Sequence, residues 1–246
     1  VTVTDAWDGS ATDKDIDLYI PDAAFRAFCI TKGYADADGY IIKEKAAAVT
    51  TLDVSDMGIA SLKGIEYFTA LTELECYGNQ LTTLDVTGCT VLTVLNCSEN
   101  QLTTLDVTRC TALTYLECNS NQLSALNVKE CTALTQLYCD DNRLTELDIK
   151  GYTALKYLYC DNNLLTTLDV TGCTALTTLR CHNNRLTTLD ASGIITSWAL
   201  YCGNQKDESG SDRQLTLTLR ADQQERWENQ ANITNNKNVT PTYKSN

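Results

Sequence analysis

The sequence predicts a solenoid, a right-handed coil of short parallel strands closed at each end by a non-repeating cap. Three observations carry that prediction. From Leu71 to Gly193 one phrase recurs every 21 residues, first as LTELECYGNQLTTLDVTGCTV, then LTVLNCSENQLTTLDVTRCTA and LTYLECNSNQLSALNVKECTA. Further copies open at Leu134, Leu155 and Leu176, and a decayed one at Ser197. Single residue types fill its columns: leucine the first and fourth, cysteine the sixth from Cys76 to Cys202, and asparagine the ninth from Asn79 to Asn184. Finally, the stretch between Leu84 and Leu92 is too short for a three-turn helix, so the convex side is expected to be turns and extended chain.

Each element of the repeat has a physical reason. Alternation sends Leu74 and Cys76 to one side of the chain and their neighbours to the other, which makes a short strand in a parallel sheet on the concave face. The asparagine follows where the chain leaves the strand. Buried there without partners it would be costly, so its column is expected to be a hydrogen-bonded ladder. An acidic column occupies the fifteenth position (Asp85, Asp106, Asp148, Asp169 and Asp190, with Asn127 substituting). One such residue per turn, it is expected to accept hydrogen bonds from turn amides rather than bind metal.

The fixed period joins most of the 246 residues into one core, with an entry and helical cap over 1–48, repeats over 49–205 and a C-terminal cap over 206–246. Residues 1–19 are polar and acidic. Ile20 to Cys29 reads as a short helix with Pro21 and Asp22 at its start and Phe25, Phe28 and Cys29 on one apolar face, covering the first turn of the coil. The segment Ala35-Asp36-Ala37-Asp38-Gly39 looks like part of an EF-hand loop. With Gly39 as its sixth position, Tyr34 and Lys45 stand where a calcium site needs carboxylates, so a turn into a second short helix over Lys43–Ala48 is expected. Val49 to Ala70 is a divergent first repeat of 22 residues, with Leu52 and Val54 in core columns. After the repeats come a polar insertion over Gly203–Asp212, an edge strand over Gln214–Leu219, a helix over Asp222–Gln230 with Trp227 in the core of the lid, and an extended end over Asn238–Tyr243.

The pattern LxxLxCxxNxLxxL resembles the leucine-rich repeat, with cysteine at the sixth position where leucine is commoner. IPDAAFRAF, DADGYI and VTTLDVSDMGIASLKGIEYFTALTEL are similar to the helical cap and entry repeat of internalin-like bacterial repeat proteins. They are closer still to short, cysteine-bearing repeat proteins on the surface of gut-dwelling anaerobes. The resemblance implies a leucine-rich repeat solenoid that is exported, as a secreted protein or lipoprotein, and presents a binding surface. It does not bring the internalins' own partners with it, because binding residues sit at variable positions. The opening Val1-Thr2-Val3 shows neither methionine nor signal peptide, as expected of a chain trimmed on export.

A net charge of −13 and a pI near 4.4 argue against nucleic acid or an anionic membrane as partner. No run of 18 apolar residues is present to span a bilayer. The twelve cysteines fall at alternating spacings of 13 and 8, because a second column (Cys89, Cys110, Cys131, Cys173) interleaves with the first. Tyr152 and Ile194 replace cysteine in that second column, and one histidine cannot supply a row of zinc sites. Buried free thiols, acting as small hydrophobes, are expected.

Function falls to the residues that the fold does not need, those at the second, third, fifth, seventh and eighth positions, which are expected to face out of the concave side. Strands about 4.8 Å apart make Tyr115, Tyr138, Tyr157 and Tyr159 one contiguous patch. Trp198 and Tyr201 lie further along, Arg180 shares the fifth column, and Asp140, Asp141 and Asp161 are expected to form a solvated acidic rim. These make a candidate ligand-binding set of Tyr115, Tyr138, Tyr157, Tyr159, Tyr201, Trp198, Asp140, Asp161 and Arg180. No catalytic residue, cofactor or metal is expected: His182 has Arg180 and Arg185 nearby to oppose its protonation, and the cysteines are periodic and buried. The sequence therefore points to a monomeric, exported recognition module for a protein or peptide. Carbohydrate binding stays open, because tyrosine and tryptophan platforms flanked by aspartate suit sugars. So does a structural spacer, because aromatic residues also simply suit strands.

Overall fold

The computed structural model describes residues 16–194, 199–230 and 234–245. Equal repeat lengths put identical columns in register, and the strands pair accordingly. Leu52 lies opposite Leu74, Leu74 opposite Leu95, Leu95 opposite Leu116, and so on to Leu179 opposite Leu200. The result is one eight-stranded, all-parallel sheet of three-residue strands: Thr51–Asp53, Glu73–Glu75, Val94–Asn96, Tyr115–Glu117, Gln136–Tyr138, Tyr157–Tyr159, Thr178–Arg180 and Ala199–Tyr201. The inward leucines and cysteines are buried along the whole stack, in one continuous core.

Past each strand the asparagine column is a ladder, as the cost of burying it unpaired requires. The Asn100 side chain accepts from the Leu81 N–H of the preceding turn at 2.9 Å and donates to Cys76 O and Cys97 O at 3.0 and 3.2 Å. Asn121, Asn142, Asn163 and Asn184 repeat that geometry. In the decayed last turn Gln205 takes over, accepting from Leu186 N–H and donating to Cys181 O and Cys202 O. The residue before each rung (Glu99, Ser120, Asp141, Asn162, Asn183) has φ near +52°, a left-handed turn that lets the chain reverse toward the next rung.

All twelve cysteines are free and buried. The second column does more than fill space. The thiols of Cys89, Cys110, Cys131 and Cys173 each donate to the carbonyl 24 residues earlier, at 3.2 to 3.7 Å. Tyr152 stands in the same column, and its hydroxyl donates to Val128 O, again 24 residues back. A donor of either kind satisfies this interior carbonyl, so tyrosine substitutes for cysteine there without breaking the pattern.

The opposite side of the coil is not only turns. Thr104–Asp106 pairs in parallel with Ala125–Asn127, and Asp85 bridges to Asp106, because the Leu-Asp segments also come into register. The carboxylates of the acidic column accept from amides two residues on, as Asp106 does from Thr108 at 2.9 Å and Asp169 from Thr171 at 2.8 Å.

At the N-terminus helix α1 runs over Ala23–Lys32. Asp22 caps it through one carboxylate oxygen and through the other accepts from Ala60 N–H at 2.8 Å, so a single residue starts the helix and fastens it to the first repeat. The Asp36 carboxylate accepts from the Asp38 and Tyr40 amides in a tight turn that leads into α2, Lys43–Ala46. At the C-terminus Leu215–Arg220 is not the edge strand that its alternation predicts. It lies between Thr188–Asp190 and Val239–Lys244, all parallel. The Leu-Asp ladder ends at Thr188–Asp190 with an open edge, which Leu215–Arg220 covers, and Pro241 sits on the outer strand, where a missing N–H is tolerated. Trp227 is 2 % exposed, in the core of that lid. Among the described residues no helix is long and apolar enough to cross a membrane.

Candidate functional site

The sheet face sorts the outward positions by what their side chains do. The second position is structural: the hydroxyls of Thr72, Thr93, Thr114, Thr135 and Thr177 each donate to the carbonyl one turn back. The eighth is the left-handed turn residue just described. That leaves the third, fifth and seventh columns.

Tyr115, at the third position, packs on Tyr138 of the next strand, with ring centroids 5.6 Å apart. Tyr138 meets Tyr159 edge-on at 4.8 Å and 82°. The Arg180 guanidinium lies over Tyr159 at 4.2 Å and over Tyr201 at 5.4 Å. These five residues form one row across five adjacent strands, about 19 Å long at a spacing of about 4.8 Å. Hydroxyl bonds fix its rings: Tyr115 donates to Glu117, and Tyr138 to Gln136 at 2.8 Å. Tyr157, two residues before Tyr159 on the same strand, is 38 % exposed. Trp198 lies outside the described residues.

Of the three acidic residues expected to form a solvated rim, Asp141 is exposed and Asp140 half-buried, but Asp161 is buried. Asp161 and His182 are each 7 % exposed, with His182 Nε2 3.4 Å from Asp161 Oδ2 and the Asn162 amide donating to the same oxygen at 3.1 Å. In-register stacking is the reason, since Asp161 lies between Asp140 and His182, one turn before and one turn after it in the column. Burial, followed by the neighbouring Asp161 charge, pushes the Asp140 carboxyl up to about 7. Burial also raises Asp161 against the pull of His182. It lowers His182, with Arg180 acting the same way and Asp161 opposing, so the imidazole is neutral at pH 7. The sequence reading named Arg180 as opposing that protonation but missed burial as the larger cause. Asn119 Oδ1, Asp161 Oδ1, Arg180 Nε and His182 Nδ1 are buried and meet no hydrogen-bond partner among the described residues. Each such group costs about 1–3 kcal/mol, so the stability of the fold does not account for them.

Between the row and this column lies a shallow hollow of about 210 Å³, lined by Tyr115, Glu117, Asn119, Tyr138, Asp140 and Tyr159. Glu117 and Asn119 were absent from the candidate set, although both sit one 21-residue step from residues that were in it (Tyr138 and Asp140). A larger depression of about 490 Å³ lies on the opposite ladder, beside Asp148 and Asp169. Those carboxylates are already engaged, Asp169 with Thr171 and Lys150 and Asp148 with the Lys150 amide, so the aromatic hollow is the better candidate. Among the described residues no group of three or more histidine, cysteine or acidic side chains is placed to hold a metal.

The in-register parallel strands, leucine columns and asparagine ladder define a leucine-rich repeat solenoid. Residues 153–193 match the family described as leucine rich repeats, in two copies. The chain is 43 % identical over 69 residues to internalin J of Listeria monocytogenes serotype 4b, a match that spans 28 % of this chain and 8 % of that protein. Among solved structures it is similar to an internalin of Listeria monocytogenes, InlF (TM-score 0.64, 22 % identity), over 82 % of this chain and 70 % of the other. It is also similar to YopM, a leucine-rich effector protein from Yersinia pestis (TM-score 0.57, 24 % identity), over 82 % of this chain and 50 % of that one. A leucine-rich repeat protein of Leptospira interrogans is a third, at a TM-score of 0.55 and 21 % identity, covering 80 % and 62 % of the two chains. At these identities the structural likeness establishes the fold.

Proposed function

We propose that the chain is an exported, non-catalytic recognition module that binds a protein or peptide partner across its tyrosine-bearing sheet face. The observation that supports this reading is the row Tyr115–Tyr138–Tyr159–Arg180–Tyr201. Tyrosine and arginine dominate the energetics of protein interfaces, and here mutual packing has already fixed their rotamers, so less conformational entropy is lost on binding. A row of about 19 Å matches about six residues of extended polypeptide. The edge-on Tyr138–Tyr159 contact and the guanidinium over Tyr159 break up the flat platform that a sugar ring would stack on, which favours a polypeptide over a glycan. The similarity to internalin J supports export.

The test is a paired capture on host extracellular protein extract and a glycan panel. It compares the parent with a Tyr138→Ser, Tyr157→Ser, Tyr159→Ser variant of unchanged circular dichroism and melting temperature. A polypeptide held by the parent and lost by the variant supports the proposal. Capture of glycans alone moves the function to carbohydrate recognition. Identical capture by both proteins leaves the face without a role in binding.

A further inference from the structure

The aromatic row treats its two ends differently. At one end a cation is built in: Arg180 lies against the rings of Tyr159 and Tyr201. At the other end the hollow beside Tyr115 and Tyr138 has the same aromatic walls, yet no lysine or arginine lines it. Its polar lining is acidic or carbonyl-bearing instead, from Glu117, Asp140 and Asn119. Ring faces carry negative quadrupole density and attract a cation within about 6 Å of the centroid, and nearby carboxylates add to that attraction. Three aromatic walls, one of them (Tyr159) shared with Arg180, and two carboxylates are therefore the lining that a cation needs, and among the described residues no lysine or arginine lines the hollow.

We propose that this hollow is a receptor for an ammonium group, the side-chain terminus of a lysine or methylated lysine on the polypeptide partner. This rests on the reading that the face binds a polypeptide, and it assigns the partner a chemistry. At about 210 Å³ the hollow is smaller than the roughly 300–1,000 Å³ of pockets that enclose whole ligands, so it takes the end of one side chain. A compact ammonium suits it better than a planar guanidinium, which needs a fork of in-plane acceptors. The walls need no rearrangement, because the hydroxyls of Tyr115 and Tyr138 are already bonded to Glu117 and Gln136. Glu117 keeps acceptor capacity after accepting that one bond. Asp140 stands among Asp141, Asp161 and Glu117 with no basic partner among the described residues, so a bound ammonium would relieve the repulsion between these carboxylates.

The experiment uses the whole chain with defined probes: tetramethylammonium chloride and N-acetyl-lysine methylamide, with N-acetyl-norleucine methylamide as the neutral control. Binding is read from tyrosine ring proton shifts. The expected result is saturable millimolar binding of both ammonium probes, none of the neutral control, and at least about tenfold weakening in Asp140→Asn and in Tyr138→Leu. Both variants are checked for an unchanged fold by circular dichroism and a single cooperative urea transition. Equal binding of the neutral control, no binding of any probe, or binding unaffected by both variants overturns the proposal. Failure here is separable from failure of the recognition reading. A partner captured on the tyrosine face whose affinity survives acetylation of its lysines leaves the module and removes the ammonium site. Probe binding without any captured polypeptide does the reverse.

Discussion

Replacing Asn142 by alanine removes the rung that ties two turns of the coil together. Its amide donates to Cys118 O, Cys139 O and Asp140 O at 3.0 to 3.2 Å, and its carbonyl accepts from Leu123 N–H at 2.9 Å. Asn142 is buried, so water does not readily take its place. The substitution strands one interior N–H and at least one interior carbonyl, each costing about 1–3 kcal/mol, which sums to about 2–6 kcal/mol. An average substitution costs about 1 kcal/mol. Asn121 makes the same bonds from a less deeply buried position, so Asn121→Ala should cost somewhat less. Urea unfolding of the parent and both variants gives the comparison, with hydrogen exchange at the Leu123 amide as the local readout. A cost under about 1 kcal/mol for Asn142→Ala would refute the ladder as a source of stability.

A thiol reagent should label few cysteines in the native protein and nearly all twelve after denaturation. Burial pushes Cys29, Cys97 and Cys110 up to about 12, so a rise from neutral to mildly alkaline pH should not speed native labelling. Disulfides found by mass spectrometry would contradict this. Tyr152→Phe should destabilise by about 1–2 kcal/mol through loss of the bond to Val128 O, and Tyr152→Cys should recover part of that by restoring a donor; equal melting temperatures for all three proteins would count against a donor column. Asp140 is ionised in the unfolded chain above its ordinary value of 3.8 but in the folded chain only above about 7. The native state thus holds the extra proton between those values, and stability falls as pH rises through that window. Asp140→Asn should remove the penalty, gaining about 1–2 kcal/mol at pH 8 after allowance for solvent screening and close to nothing at pH 4. Urea midpoints at the two pH values check it, and an equal difference at both would show that Asp140 is not the group responsible.

The fold was legible because the repeat prints its geometry. Equal spacing forces Leu74, Leu95 and Leu116 into register, and an asparagine after every strand has one economical use. The row Tyr115–Tyr138–Tyr159 was legible for the same reason, since Tyr138 and Tyr159 are one period apart and Tyr115 lies diagonally across from Tyr138 on the neighbouring strand. What the sequence concealed lies where periodicity gives no depth. Asp161 read as a rim residue because charge is taken as a sign of exposure, while its place in the stack buries it beside His182. Leu215–Arg220 read as an edge because nothing in its own alternation shows that Val239–Lys244 returns to cover it. Gln205 escaped notice because the last repeat has decayed, and its extra methylene still lets it serve as a rung.

The most direct test of the account is the affinity of one captured partner for two variants with substitutions on opposite sides of the coil. One carries Tyr138→Ser and Tyr159→Ser on the sheet face, and the other Glu146→Arg and Thr167→Arg beside the larger depression on the far ladder. The account predicts a loss of about tenfold or more for the first and less than about twofold for the second. The reverse pattern would move the binding surface to the other side of the solenoid and contradict the reading of the tyrosine row.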